Sequence, residues 1–218
     1  EISECLVGSE MCIRDSATLI ARFDDPESGS IRLGGVDLRD IPSRDLYNAV
    51  SFVLQDPMLI NASIRRNISL ARPGASLEEV RDAARAAQID DFIMSLPKGY
   101  DSVLGTDCSL SGGESQKVAV ARAFYKDCPF VILDEPSANL DPVAEYQLNR
   151  AMLEAARDKT VIFISHRLST TVQADKIYVM EQGRIIESGS HSELMAADGI
   201  YAYMFRLQAE KYKNAKSE

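Results

Sequence analysis

At 218 residues, 45% of them hydrophobic and 26% charged, the chain is long enough for one sizeable core, or one core with a subdomain. A formal net charge of -9 argues against a dedicated nucleic-acid binder, which carries a basic face. The longest apolar runs are a few residues, so no transmembrane span or secretory signal is visible, and four cysteines without metal-ligand or redox spacing fit a reduced, cytoplasmic setting.

Residues 1–16 show no clear amphipathic period and include Cys5 and Cys12. Residues 24–29 are turn-rich, and residues 30–38, with Gly34-Gly35 at their centre, read as a hairpin. Residues 50–54 predict a buried strand followed by Gln55. Ser76 and Glu79 form a capping box, after which Val80, Ala83, Ala84 and Ala87 recur at helical spacing. A second helix is expected around residues 90–96. Ser111 and Glu114 make another capping box, opening a helix that runs to Lys126. A helix start offers free backbone N–H groups and a positive dipole end, and Gly112 and Gly113 let an anion come close to them.

Residues 130–133 are a short apolar run after Pro129, suited to a strand buried on both faces. Asp134 and Glu135 follow at its C-terminal end, where ligands collect in open α/β sheets. One carboxylate can hold Mg²⁺ and its neighbour can orient or deprotonate a water. Asp141-Pro142 is an N-cap with proline at the first helical position, predicting a helix to about Arg157. Residues 160–164 form the next buried strand, ending at Ser165-His166. Two further strands span residues 174–180 and 183–189, and His191 reads as a helix-start residue. Residues 199–208 form an amphipathic closing helix whose aromatic stripe reads as core packing. The charged tail from Lys211 is expected to fray.

Leu110-Ser111-Gly112-Gly113-Glu114-Ser115-Gln116, Val131-Ile132-Leu133-Asp134-Glu135-Pro136 and Ser137-Ala138-Asn139-Leu140-Asp141 occur in this order. They resemble the signature motif, Walker B strand and D-loop of the nucleotide-binding domain of ATP-binding-cassette (ABC) transporters. The resemblance covers about residues 17–212. It implies a P-loop NTPase-like (RecA-like) α/β fold, a parallel sheet core with an inserted all-α signature subdomain. Residues 17–56 and 127–190 would be the ATPase core, 57–126 the helical subdomain, and 191–218 a C-terminal helix and tail.

The resemblance also assigns roles. Glu135 is the base or water-orienting residue, Gln55 the Q-loop glutamine that reaches metal or water, and His166 the γ-phosphate contact. Asp134 and Gln55 serve Mg²⁺. Ser111, Gly112, Gly113 and Gln116 take the ATP of a second ABC nucleotide-binding domain, with Ser137 and Asp141 in the D-loop. Residues 59–68 and 201–208 look like exporters with fused membrane helices. Implied partners are therefore a second such domain and the transmembrane domain of an exporter, with the ATPase at the cytoplasmic face of the plasma membrane.

Two departures stand out. Thr106-Asp107-Cys108-Ser109 replaces a slightly longer segment ahead of the signature. Residues 1–16 occupy the place of the family's first strands and Walker A loop, G-x-x-x-x-G-K-[ST], yet Gly8 has no second glycine or lysine at the right distance. Residues 5–16 resemble a translated sequencing-library adaptor, so the native sequence is expected to begin near Ala17, with the first strands and the Walker A loop missing. Negligible ATPase activity is expected of residues 1–218 alone. Competing readings are a non-catalytic ABC partner half, a non-transport ABC ATPase and a stand-alone importer subunit.

Overall fold

The computed structural model of the protein describes residues 2–214 other than 9, 73, 75, 138, 139, 141, 156, 157, 166 and 169. The chain forms two compact units, Glu1–Leu46 with Thr160–Glu218, and Tyr47–Lys159.

The first unit opens with strand β1 (Ile2–Gly8), helix α1 (Glu10–Ile20) and a hairpin of β2 (Arg32–Leu33) and β3 (Val36–Asp37). Gly34 and Gly35 both take positive φ, as the tight two-residue turn of a hairpin requires. Helix α2 (Ser43–Ala49) leads into the second unit. There β4 (Val50–Val53) is followed by α3 (Ile64–Ile68), α4 (Leu77–Ala86), α5 (Asp90–Ser95), α6 (Gly112–Lys126), β5 (Phe130–Asp134) and α7 (Pro142–Ala155). The chain then returns to the first unit with β6 (Thr160–Ile164), β7 (Lys176–Glu181), β8 (Arg184–Gly189), α8 (His191–Ala197) and α9 (Ile200–Asn214).

In the first unit β1 lies between β6 and β7 and is parallel to both, with Leu6 opposite Ile164 on one side and Tyr178 on the other. β8 runs antiparallel to β7. Residues 1–16, read as a non-native leader, thus contribute a strand to this sheet. Residues 2–8 lack a strand's alternation, but a slot between two parallel strands presents unpaired N–H and C=O groups on both sides. Backbone pairing fills it whatever the side chains are, and Cys5 and Val7 add apolar burial. Helix α1 also begins within these residues, at Glu10, and buries Ala17. No lysine precedes Lys98, so the strand is present without a phosphate loop behind it.

In the second unit β4 and β5 are a parallel pair, with Val53 opposite Leu133. Helix α6 is the centre of this unit. Val118, Val120 and Ala121 are fully buried on it, against α3, which supplies Ile64 and Ile68, and α4, which supplies Val80 and Ala84. Each fully buried Val, Ile or Leu contributes about 1.5–3 kcal/mol. The far end of α6 is tied to β4, because Lys126 Nζ donates to the carbonyls of Tyr47 and Val50. The closing helix α9 is only partly a core element: Tyr201 is fully buried, whereas Tyr203 is 63% exposed.

Candidate functional site

The acidic end of β5 is buried, with Asp134 2% and Glu135 6% exposed. Glu135 has φ +45, in the left-handed region that a non-glycine residue occupies at a cost of about 1–3 kcal/mol. Such strain gathers at functional sites, where the surroundings impose it. The parallel register of β4 and β5 explains what Glu135 meets. Gln55 lies two residues beyond Val53, as Glu135 lies two beyond its partner Leu133, so both emerge at the same end of the pair. Gln55 Nε2 donates to Glu135 Oε2 at 3.1 Å. Residues 80 positions apart in sequence thus meet in one polar contact.

The second cluster is the tip of α6. Ser111 is its N-cap, and the capping box is complete: Glu114 N donates to Ser111 Oγ at 3.3 Å and Ser111 N donates to Glu114 Oε2 at 2.7 Å. Ser111, Gly112, Gly113 and Glu114 line an open depression of 510 Å³ together with Lys117, Leu140 and Ala144. Free N–H groups at a helix start and a lysine one turn on make this depression suited to an anion. Ser111→Ala is expected to lower the unfolding free energy by about 1 kcal/mol, read from the denaturant midpoint at unchanged m-value.

Gln116 does not face this depression. It is fully buried, and its Nε2 donates to the Leu54 carbonyl at 3.2 Å, so here it braces the residue before Gln55. Its Oε1 has no hydrogen-bond partner among the described residues. Ser137 is buried just beyond Glu135, and its carbonyl accepts from Leu140 N at 3.1 Å. His166 and Asp141 lie outside the described residues, as do Ala138 and Asn139.

Two residues of the site were not singled out by the motif reading. Lys117 falls just outside the motif, although a cation one turn into a helix that starts at an anion site is a readable signal. Arg122 was hidden because it acts through carbonyls. Its Nε donates to Asn67 O at 2.8 Å and an Nη to Met58 O at 3.0 Å, pinning the segment after Gln55 to α6. Burial pulls its guanidinium pKa down from the ordinary value.

Magnesium takes hard oxygen donors, and it commonly binds through one or two carboxylates with substrate phosphates and water completing the shell. The Asp134 carboxylate and the Gln55 amide oxygen are donors of that kind. Among the described residues no group of three or more His, Cys, Asp or Glu could hold a metal by itself. Asp134 and Gln55 therefore fit Mg²⁺ whose remaining donors are phosphate and water oxygens.

Comparison with known proteins gives the family. The family model described as ABC transporter matches residues 16–138. The mycobactin import ATP-binding/permease protein IrtA of Mycolicibacterium smegmatis is 50% identical over 189 residues, covering 87% of this chain and 22% of that protein. The putative multidrug export ATP-binding/permease protein YgaD of Bacillus subtilis is 45% identical over 192 residues, 88% of this chain and 33% of that one. Among solved structures, a bacterial Atm1-family ABC exporter with ATP bound superposes with a TM-score of 0.89 at 41% identity, over 95% of this chain and 37% of that chain. The chain thus spans about a fifth to a third of the length of these curated relatives.

Proposed function

Because the chain belongs to the ABC transporter family, we propose that it is the ATP-binding and hydrolysing part of an exporter that moves a solute across a membrane. The observation that carries this reading is the contact of Gln55 with Glu135 at the buried end of β5. Phosphoryl transfer asks a protein to position a nucleophile and to stabilise charge on the transferred group. Glu135, a buried carboxylate held by an amide, is the group to orient or deprotonate the attacking water. Gln55 fixes the Glu135 carboxylate by donating to it. Asp134, with the Gln55 amide oxygen, would hold Mg²⁺, which when bound neutralises phosphate charge.

The α6 tip serves a different nucleotide. Ser111, Gly112 and Gly113 present N–H donors and a hydroxyl on an open face, so they meet the ATP held by a second nucleotide-binding domain. Lys117 adds a positive charge to that face. Asp141 and Ser137 are given to the same interface, and His166 to the γ-phosphate, by likeness to the family. ATP then acts as an interface component between two domains, and its hydrolysis releases the closure. Attached transmembrane helices, on the same parent chain as in the ATP-binding/permease relatives, would receive the work at the cytoplasmic face of the membrane.

The motif G-x-x-x-x-G-K-[ST] is not in this sequence, so the main donors to the β- and γ-phosphates are lacking. Residues 1–218 alone are expected to hydrolyse MgATP at the buffer rate. The same chain with such a loop joined ahead of Ala17 is expected to show turnover that rises more steeply than its concentration, as a dimer requires. Phosphate release, measured across a concentration series, checks both. If the grafted chain binds nucleotide and dimerises yet stays silent, the reading fails.

A further inference from the structure

Leu168 follows β6 closely, is 1% exposed, and has both of its backbone groups held by side chains. Its N–H donates to Gln208 Oε1, on α9, at 2.9 Å. Its carbonyl accepts from Thr171 Oγ1 at 2.7 Å and from Thr171 N at 3.2 Å. The Thr171 hydroxyl lies 2.6 Å from Tyr201 Oη, and Tyr201 Oη lies 2.8 Å from His191 Nδ1. Thr171 and Tyr201 are fully buried, so their polar atoms must find partners within the protein.

Counting protons fixes every direction in this chain. A threonine hydroxyl has one proton, and Thr171 gives it to the Leu168 carbonyl. Tyr201 must therefore donate to Thr171, which uses its own single proton. The remaining contact is then His191 Nδ1–H donating to Tyr201 Oη. Burial raises the Tyr201 phenol pKa above its ordinary value, so the proton stays in place. The ends are anchored as well. The His191 ring packs against Phe205 at 4.9 Å and edge-on to Tyr201 at 5.8 Å. The Glu187 carboxylate accepts from the first N–H groups of α9, Ile200 at 2.6 Å and Tyr201 at 3.0 Å.

We propose that α8 and α9 clamp the segment after β6 through Leu168, with His191, Tyr201 and Gln208 as positioning residues for the phosphate contact assigned to His166. The geometry stands by itself, while its functional consequence rests on the reading above. The clamp acts by holding the Leu168 backbone, two positions from His166 in sequence.

The test uses ¹⁵N-labelled chain 1–218. It has two histidines, so only two imidazole spin systems need assignment. A long-range ¹H–¹⁵N spectrum is expected to show His191 protonated at Nδ1. In Tyr201→Phe, which keeps the ring, the Leu168 and Thr171 amides are expected to exchange about 10-fold faster, the equivalent of one lost hydrogen bond. The His166 ring resonances are expected to move, while exchange of Leu194 N–H, bonded to Ser190 O within α8, stays unchanged. Thr171→Val should reproduce the effect and Thr171→Ser should not. A His191 ring without a proton on Nδ1, unmoved His166 resonances in both Tyr201→Phe and Thr171→Val, or a Leu194 amide that accelerates equally would each overturn the clamp. These readouts need no ATP turnover, so a silent grafted chain with an intact clamp would count against the ATPase reading alone.

Discussion

Replacing Glu135 with glutamine lowers ATP turnover by about 10²–10⁴-fold in the grafted chain, the usual contribution of a positioned general base. The variant suits the question because it changes little else. A glutamine at this position still offers an oxygen to Gln55 Nε2, which meets Glu135 Oε2 at 3.1 Å in the parent. The strained backbone at φ +45 is kept, and so is the volume of a side chain that is nearly fully buried. Loss should therefore fall on kcat, with nucleotide affinity retained, the mark of an interaction made in the transition state. Single-turnover and binding measurements on the same protein separate the two. Turnover within a few-fold of the parent would remove Glu135 from the reaction.

Asp90→Ala should be the most damaging of the polar substitutions, lowering stability by about 2–3 kcal/mol. Asp90 begins α5 with its side chain 12% exposed, and it gathers three partners. Tyr100 Oη donates to Oδ1 at 2.6 Å, Arg81 donates to both carboxylate oxygens at 3.3 Å, and Arg85 Nε lies 3.5 Å away. Removing the carboxylate strands a buried tyrosine hydroxyl and leaves two guanidinium groups facing each other.

The same cluster predicts a pH dependence. Burial pushes the Asp90 carboxyl up, but hydrogen bonds from Arg81 and Tyr100 and the charges of both arginines outweigh it and hold the pKa below the ordinary value. A depressed folded-state pKa means stability that is fully present above the unfolded value, about 4, and is lost as pH falls through the folded value. Urea midpoints between pH 6 and pH 3 should fall for the parent, and the fall should be smaller in Asp90→Asn. Equal slopes would show that other carboxylates carry the acid loss.

The parts of this protein that the sequence announced are those whose physics is local. Ser76 and Ser111 each cap a helix whose third residue is a glutamate, and each box closes as four neighbouring residues dictate. Gly34-Gly35 turns a hairpin because both positions need positive φ. The apolar runs of β5 and β6 are buried as their composition requires. Ser111, Gly112, Gly113, Asp134 and Glu135 were legible for the same reason, since each motif is a short segment with its own geometry.

The tertiary structure decided what no short segment contains. A strand at residues 2–8 exists because β6 and β7, more than 150 positions away, offer it hydrogen bonds on both edges. Gln116 turned inward to Leu54, and Lys117 lies beside the glycines, because α6 is oriented by Ile64, Ile68, Val80 and Ala84 packing on it. Gln55 reached Glu135 through a parallel register. His191 became the head of a proton-ordered chain because α9 folds back beside α8. Chemical type and local turn are written in neighbouring residues. Which distant groups share a hydrogen bond depends on strand order and helix packing, and those follow from the burial of the whole chain.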